Sequence, residues 1–155
     1  MSTHKLQVST EVPTEIHMTR VFDAPRRLVI QAMTTPDLVK KWMGGKRGVV
    51  TAAECDFRVG GRYRNAFRTH EGFEFAFVGT FKEIADDRIV HTEQFEGQPG
   101  ESEITTTFTE AAGKTTMRVV IKFPTQEMRD MVIKSGMTEG AGESYDFLEA
   151  LLKQL

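Results

Sequence analysis

One cysteine, one tryptophan and five prolines are all that this 155-residue chain has of those three residue types. Cys55, being alone, cannot close an internal disulfide, which fits a reducing cytosol. His4, His17, His70 and His91 are scattered and no second cysteine stands at ligand spacing, so no metal site is expected. The opening MSTHKLQVSTEV has no apolar run, so no secretory signal is read there. No stretch approaches the roughly 18 apolar residues of a membrane span. An excess of charge is missing too. Twenty Lys and Arg face 22 Asp and Glu, a net charge of -2 that predicts no general attraction to nucleic acid or to an anionic membrane. Neither a G-x-S-x-G nucleophile elbow nor a phosphate-binding glycine loop is present, and no cofactor is expected.

What the chain does have is phenylalanine, eleven of them, concentrated in its middle. The length suits one domain, and a chain of this size buries about 68–70% of its unfolded surface. Residues 1–14 are polar and read as a flexible N-terminal segment, leaving 15–155 as the single domain. Ile16–Phe22 reads as a strand. The run RVFDAPRRLVIQAMTTPDLVKKWM, Arg20 to Met43, then predicts two short helices, each opened by a proline, Pro25 and Pro36. Thr35 can cap the second helix. Leu28, Val29, Ala32 and Met33 form one apolar face, and Leu38, Val39, Trp42 and Met43 another.

Six strand-like runs follow, bounded by turn residues: Val49–Arg58, Arg62–Thr69, Phe73–Ile84, Arg88–Phe95, Ser102–Thr109 and Thr115–Phe123. Connections this short favour antiparallel neighbours, because a parallel crossover needs a dozen or more residues. Alternation puts Phe73, Phe75, Phe77, Gly79 and Phe81 on one face. Tyr63, Asn65 and Phe67 share a face opposite Arg62, Arg64 and Arg68, and Ile89, His91, Glu93 and Phe95 share another. One face of the sheet therefore needs a cover. Thr125 can cap a short helix over Gln126–Lys134, ended by Ser135-Gly136. Met137, Ala141, Tyr145, Leu148, Leu152 and Leu155 then recur at helical spacing. Gly140 and Gly142 inside that pattern suggest a kink or a close approach of backbone.

The order of elements, with RVFDAP…TTPDLVKKW, ECDFRVGGRY, Gly79–Ile84 and GMTEGAGESYDFLEALL, resembles the START-like or SRPBCC superfamily. The branch it resembles is the one homologous to the activator of the heat-shock chaperone ATPase. That resemblance covers about residues 15–155. It implies an α+β helix-grip fold, a curved antiparallel sheet of about seven strands around a long C-terminal helix with a cavity between them. Met43 stands where that family commonly has a second aromatic. Gly140-Ala141 stands where it commonly has Gly-Trp.

Several residues could carry chemistry. The aromatic stripe of Tyr63, Phe67, Phe73, Phe75, Phe77 and Phe81 is either plain core against the helix or the wall of a ligand cavity. His91, Glu93 and Asn65 alternate onto apolar faces. There they must be solvated on a reversed face, pair with one another, or meet a ligand, since an unpaired buried polar group costs about 1–3 kcal/mol. The Arg58, Arg62, Arg64 and Arg68 series reads as a solvated face opposed by Glu54, Asp56 and Glu74. Cys55, alternating with Ala53 and Phe57, reads as an inert core thiol.

The function expected is cytosolic binding of a small apolar or amphipathic molecule. Tyr63, Phe67, Phe75, Phe77 and Tyr145 would be the walls, Trp42 would stand at the mouth, and Asn65, His91 and Glu93 would be polar contacts. Two other classes stay open. One is a cyclase, dehydratase or hydrolase using His91 and Glu93 as acid and base. The other is a chaperone-associated interaction module, although the relatives with that role carry a further domain that this chain is too short to hold. A weak homodimer also stays open, while neither nucleic acid nor membrane is an expected partner.

Overall fold

The computed structural model describes residues 4–155. Residues 1–3 of the expected N-terminal segment lie outside that range. Eight strands form one sheet: β1 (Gln7–Ser9), β2 (Glu15–Phe22), β3 (Gly48–Cys55), β4 (Arg62–Thr69), β5 (Glu74–Ala85), β6 (Arg88–Phe95), β7 (Ser102–Ala111) and β8 (Lys114–Lys122). Helices α1 (Arg26–Thr34) and α2 (Pro36–Trp42) sit between β2 and β3, and α3 (Gln126–Lys134) and α4 (Met137–Leu152) close the chain. The sheet order is β1-β2-β8-β7-β6-β5-β4-β3, with every neighbouring pair antiparallel. Strands β3 to β8 follow as a meander, and β2 returns to pair with β8. This is the α+β helix-grip arrangement expected from the sequence.

The expected seven strands become eight because Gln7–Ser9 pairs with His17–Thr19 of β2. Backbone pairing needs no apolar side chain, so a three-residue exposed strand leaves little trace in the pattern. The stretch after it is tied down as well. Buried Arg129 of α3 donates from Nη1 to the carbonyls of Thr10, Val12 and Glu15 at 2.9, 3.1 and 3.3 Å. Residues 7–12 are therefore bonded to the domain, where the sequence suggests a loosely held segment.

Pro36 occupies the first turn of α2, as expected, whereas Pro25 sits one position earlier, as the residue before α1. Thr35 precedes α2 without a side-chain cap, but Thr125 Oγ1 accepts from Met128 N at 3.1 Å and caps α3. Gly136 ends the α3 turn at φ +84°, a left-handed conformation that side chains disfavour, and this redirects the chain into α4. Despite Gly140 and Gly142, α4 runs without interruption from Met137 to Leu152, so the kink is absent. Gly140 instead backs the Arg47 side chain and Gly142 backs Leu6. The apolar stripe ends at Leu152, and Leu155 lies beyond the helix and exposed.

The core lies between the sheet's inner face and α1, α2 and α4. Ile16, Met18 and Phe22 of β2, Met117, Val119 and Ile121 of β8, and Leu148, Leu151 and Leu152 of α4 are all buried. Alternation along β2 also delivers Arg20 to this face, 1% exposed. Its guanidinium lies 2.7 Å from Asp146 Oδ1 and 3.6 Å from Glu149 Oε1, and 5.3 Å from the centre of the Phe22 ring. This pair ties α4 to a strand 126 positions away in sequence. Removing one partner of a buried ion pair leaves an uncompensated charge. Arg20→Ala is expected to lower unfolding free energy by about 3–5 kcal/mol. Arg20→Met combined with Glu149→Leu should recover most of that loss, as read from urea denaturation midpoints.

Candidate functional site

A cavity of about 1080 Å³ lies between the inner face of β4–β8 and helices α2, α3 and α4. Its size follows from the helix sequence. The C-terminal half of α4 fills its contact with the sheet with Tyr145, Leu148, Leu151 and Leu152. Gly140 and Ala141 face the cavity from the N-terminal half and offer almost no side chain. Glycine and alanine at these two positions leave space that larger residues would occupy.

All nine residues singled out from the sequence line this space: Trp42, Tyr63, Asn65, Phe67, Phe75, Phe77, His91, Glu93 and Tyr145. Antiparallel register brings them together. Asn65 of β4 is opposite Phe77 of β5, Phe67 is opposite Phe75, and Phe81 is opposite His91 of β6. The rings of Phe67, Phe75, Phe77 and Phe95 form one packed group, with centroids 5.2–6.0 Å apart. Exposed Arg47, Arg68, Phe95, Gln98 and Met131 stand at the rim.

Two placements differ from expectation. Trp42 is not at a mouth. It is 2% exposed, its Nε1 donates to Ala32 O at 2.9 Å, and its ring stacks on Tyr145 with centroids 6.1 Å apart. A single apolar face on a seven-residue helix leaves open how deep its end sits, and packing against α4 sets that here. Phe73 is 72% exposed and precedes β5 rather than joining its aromatic face. The Arg series is on the outer face, with Arg64 opposite Glu54, Arg68 opposite Glu74, and Arg64 Nε 2.8 Å from Glu96. Cys55 borders the cavity, and burial first, then Asp56, pushes its thiol pKa up. That keeps it a thiol rather than a nucleophilic thiolate.

The polar centre is built on Gly79. A β-carbon there would lie 1.9 Å from the Thr92 carbonyl oxygen and 2.7 Å from Tyr63 Oη. The absence of that carbon lets Tyr63 Oη donate to Thr92 O at 2.7 Å while lying 3.0 Å from His91 Nδ1. His91 Nδ1 is also 3.1 Å from Thr92 O, an oxygen that can only accept. The proton of His91 therefore belongs on Nδ1, and Nε2 presents a lone pair. Burial holds His91 below the ordinary histidine range, hence neutral at pH 7. Burial also drives the Tyr63 hydroxyl up, with nearby Glu93 adding to the effect.

Glu93 is the least compensated of these groups. Its carboxyl makes no hydrogen bond or ion pair with any described residue, and burial raises its pKa from 4.5 to about 7. The side chain is half-buried, because the space it meets is the cavity itself. Tyr145 also faces it, its pKa pushed up to about 12 by burial first and then by Glu93. His91 and Glu93 do not satisfy each other, which removes one of the plain readings of that pair.

Another grouping was not evident from spacing. His4, Asp23 and Glu149 bring potential ligand atoms within 4.8 Å of one another. His4 Nε2 lies 3.0 Å from Asp23 Oδ1, Glu149 accepts from Asp23 N at 3.2 Å, and Glu149 pairs with Arg20. These contacts belong to the anchoring of α4.

Two outcomes follow from this geometry. Gly79→Ala forces the β5–β6 backbone apart and is expected to cost about 1–3 kcal/mol or more by overpacking, read as a lower urea midpoint. Glu93, whose carboxyl is easier to keep protonated when folded, contributes stability that is full below pH 4.5 and is lost as pH rises through about 7. Glu93→Gln should therefore match the parent near pH 5 and exceed it by about 1–3 kcal/mol near pH 8. Chemical denaturation at the two pH values measures the difference.

The Activator of Hsp90 ATPase homolog 1-like family model matches residues 23–153. No curated protein matches the chain. Solved structures do. A Rhodobacter sphaeroides protein is 24% identical at a TM-score of 0.89, covering 97% of this chain and 99% of that one. A Mycobacterium smegmatis protein is 24% identical at 0.86, covering 96% and 97%. A Chromobacterium violaceum protein is 28% identical at 0.80, covering 91% and 98%.

Proposed function

The chain belongs to the Activator of Hsp90 ATPase homolog 1-like family, and from that premise we propose that it binds a small apolar or amphipathic molecule between the sheet and helix α4. The observation that carries this reading is the cavity of about 1080 Å³, walled by aromatic rings and holding polar groups with no protein partner. Ligand pockets have volumes of about 300–1,000 Å³ and combine apolar walls with a few placed polar groups. A core kept only for stability would be filled, since voids forfeit packing energy. Carboxyl and imidazole groups would be excluded from it, since burying them unpaired is costly. The Phe67, Phe75 and Phe77 rings, with Tyr63 and Tyr145, supply the apolar walls. Asn65, His91 Nε2 and Glu93 supply the polar contacts.

A second reading is proton transfer on the bound molecule. It is favoured by the place of the Glu93 carboxyl, which opens into the cavity without a described protein partner, where burial raises its pKa to about 7 and lets it give or take a proton near neutral pH. If Glu93 has that role, Glu93→Gln lowers turnover far more than it weakens binding.

The binding reading has a direct check. Nile red, a neutral apolar dye, should bind with a fluorescence increase, and native mass spectrometry of gently purified protein should show a co-purified mass. Ala141→Trp places a large ring into the cavity from α4 and is expected to weaken dye binding by about tenfold or more. Unchanged dye affinity in that variant, with the fold intact by circular dichroism, would sink the cavity as the site.

A further inference from the structure

The interior of the cavity is asymmetric in charge. Its deep polar groups include two acceptors, the Glu93 carboxyl and the lone pair on His91 Nε2, beside the neutral Asn65 amide and Tyr145 hydroxyl. Among the described residues no cation bears on Glu93, whose pKa is shifted by burial alone. Tyr63 comes from β4 and Tyr145 from α4, both neutral, while His91 on the same strand is held neutral. Cys55 on β3 remains a thiol. Arg20 is engaged by Asp146 and Glu149. Arg47 at the rim is held by Glu143, with Nε 3.1 Å from its carboxylate, and Arg68 is exposed at the rim opposite Glu74 of β5. Glu93 bears on the Tyr63 and Tyr145 hydroxyls, and the cavity it shares with Phe77 is walled by aromatic rings, whose faces attract cations.

Resting on the cavity-binding reading above, we propose that the ligand is an organic amine: a protonated nitrogen seated at Glu93 and His91 Nε2, with its apolar body along Phe67, Phe75 and Phe77. A protonated amine donates to both acceptors and supplies the missing countercharge. An alcohol would donate one hydrogen bond and leave the carboxylate uncompensated. A carboxylate ligand would place like charge beside Glu93 in a region of low dielectric, or else bury Glu93 under an alkyl tail with no partner.

The test compares decylamine, decanol and decanoate, each below its micelle concentration, by displacement of Nile red near pH 8. Quenching of Trp42, the one tryptophan of the chain, gives an independent readout because it stacks on cavity-lining Tyr145. Decylamine should displace the dye at concentrations about tenfold or more below those of decanol, with decanoate weakest. Glu93→Gln should bring decylamine to the level of decanol and leave decanol within about twofold. Taking the parent protein from about pH 8 to about pH 5.5 should remove the amine advantage in the same way, because Glu93 becomes protonated. This arm needs no variant and decides the matter if Glu93→Gln fails to fold. Equal displacement by all three molecules, stronger displacement by decanoate, or an amine advantage that survives both arms overturns the amine assignment and leaves the cavity reading standing. Failure of Nile red and all three molecules to bind overturns the cavity reading itself.

Discussion

The structure depends on where helix α4 is fastened. Arg20 is buried on the inner face of β2, and its guanidinium meets Asp146 and Glu149 on α4. A charge in that position is stable only while its partners hold their geometry, so the pair fixes the helix in rotation and in height above the sheet. Leu148, Leu151 and Leu152 then close the apolar contact around it. Because one end is held so firmly, the other need not be. Residues 137–142 can pass over the sheet with glycine and alanine at their inner positions, and the space under them remains open without the helix collapsing into it.

The same sheet face carries both the anchor and the cavity, and register keeps them apart. Along the inner face, Arg20 shares a rung with Met117 and Phe108. The next rungs hold Met18, Val119 and Thr106, then Ile16, Ile121, Ile104 and His91. Glu93, opposite Ser102, is one rung further. Three steps of two residues separate Arg20 from Glu93, roughly 20 Å along the strands. The buried cation and the unpaired carboxyl are thus beyond useful reach of each other. Each polar group has its own environment, and only one of them is satisfied by the protein.

Much of this was legible because a strand has a period of two. Alternation groups Tyr63, Asn65 and Phe67, Phe75 and Phe77, and His91 and Glu93 onto shared faces, and the short turns between strands make the meander follow, while which face is inward is set by the packing of the helices. The same pattern would have found Arg20, which falls between Met18 and Phe22 on an inward rung. Its charge argued for the surface, and the carboxylates that reverse that argument are 126 and 129 positions away. Strand β1 leaves no periodic signal because it is three residues long and exposed. The depth of Trp42 is not readable either, because helical periodicity gives a face but not the height of what packs on it. Pairing at a distance and close approach between elements are tertiary facts, and Gly79 beside Tyr63 and Thr92 is another of them.

Gly79 joins these levels. A β-strand interior disfavours glycine, and in sequence it reads as an interruption of the aromatic stripe. In the fold it marks where Tyr63 crosses over β5 to reach the Thr92 carbonyl. That hydrogen bond uses the tyrosine proton, which leaves Tyr63 Oη to accept from His91 Nδ1 and turns the other imidazole nitrogen outward as an acceptor. One missing side chain therefore sets the tautomer of a histidine on the neighbouring strand. With Glu93 two residues along the same face, the deep end of the cavity acquires two acceptors, while the cations of its lining, Arg47 and Arg68, stay at the rim. Filling the Gly79 position would push on both the Thr92 carbonyl and the Tyr63 ring, and so remove the arrangement that gives the cavity its polarity.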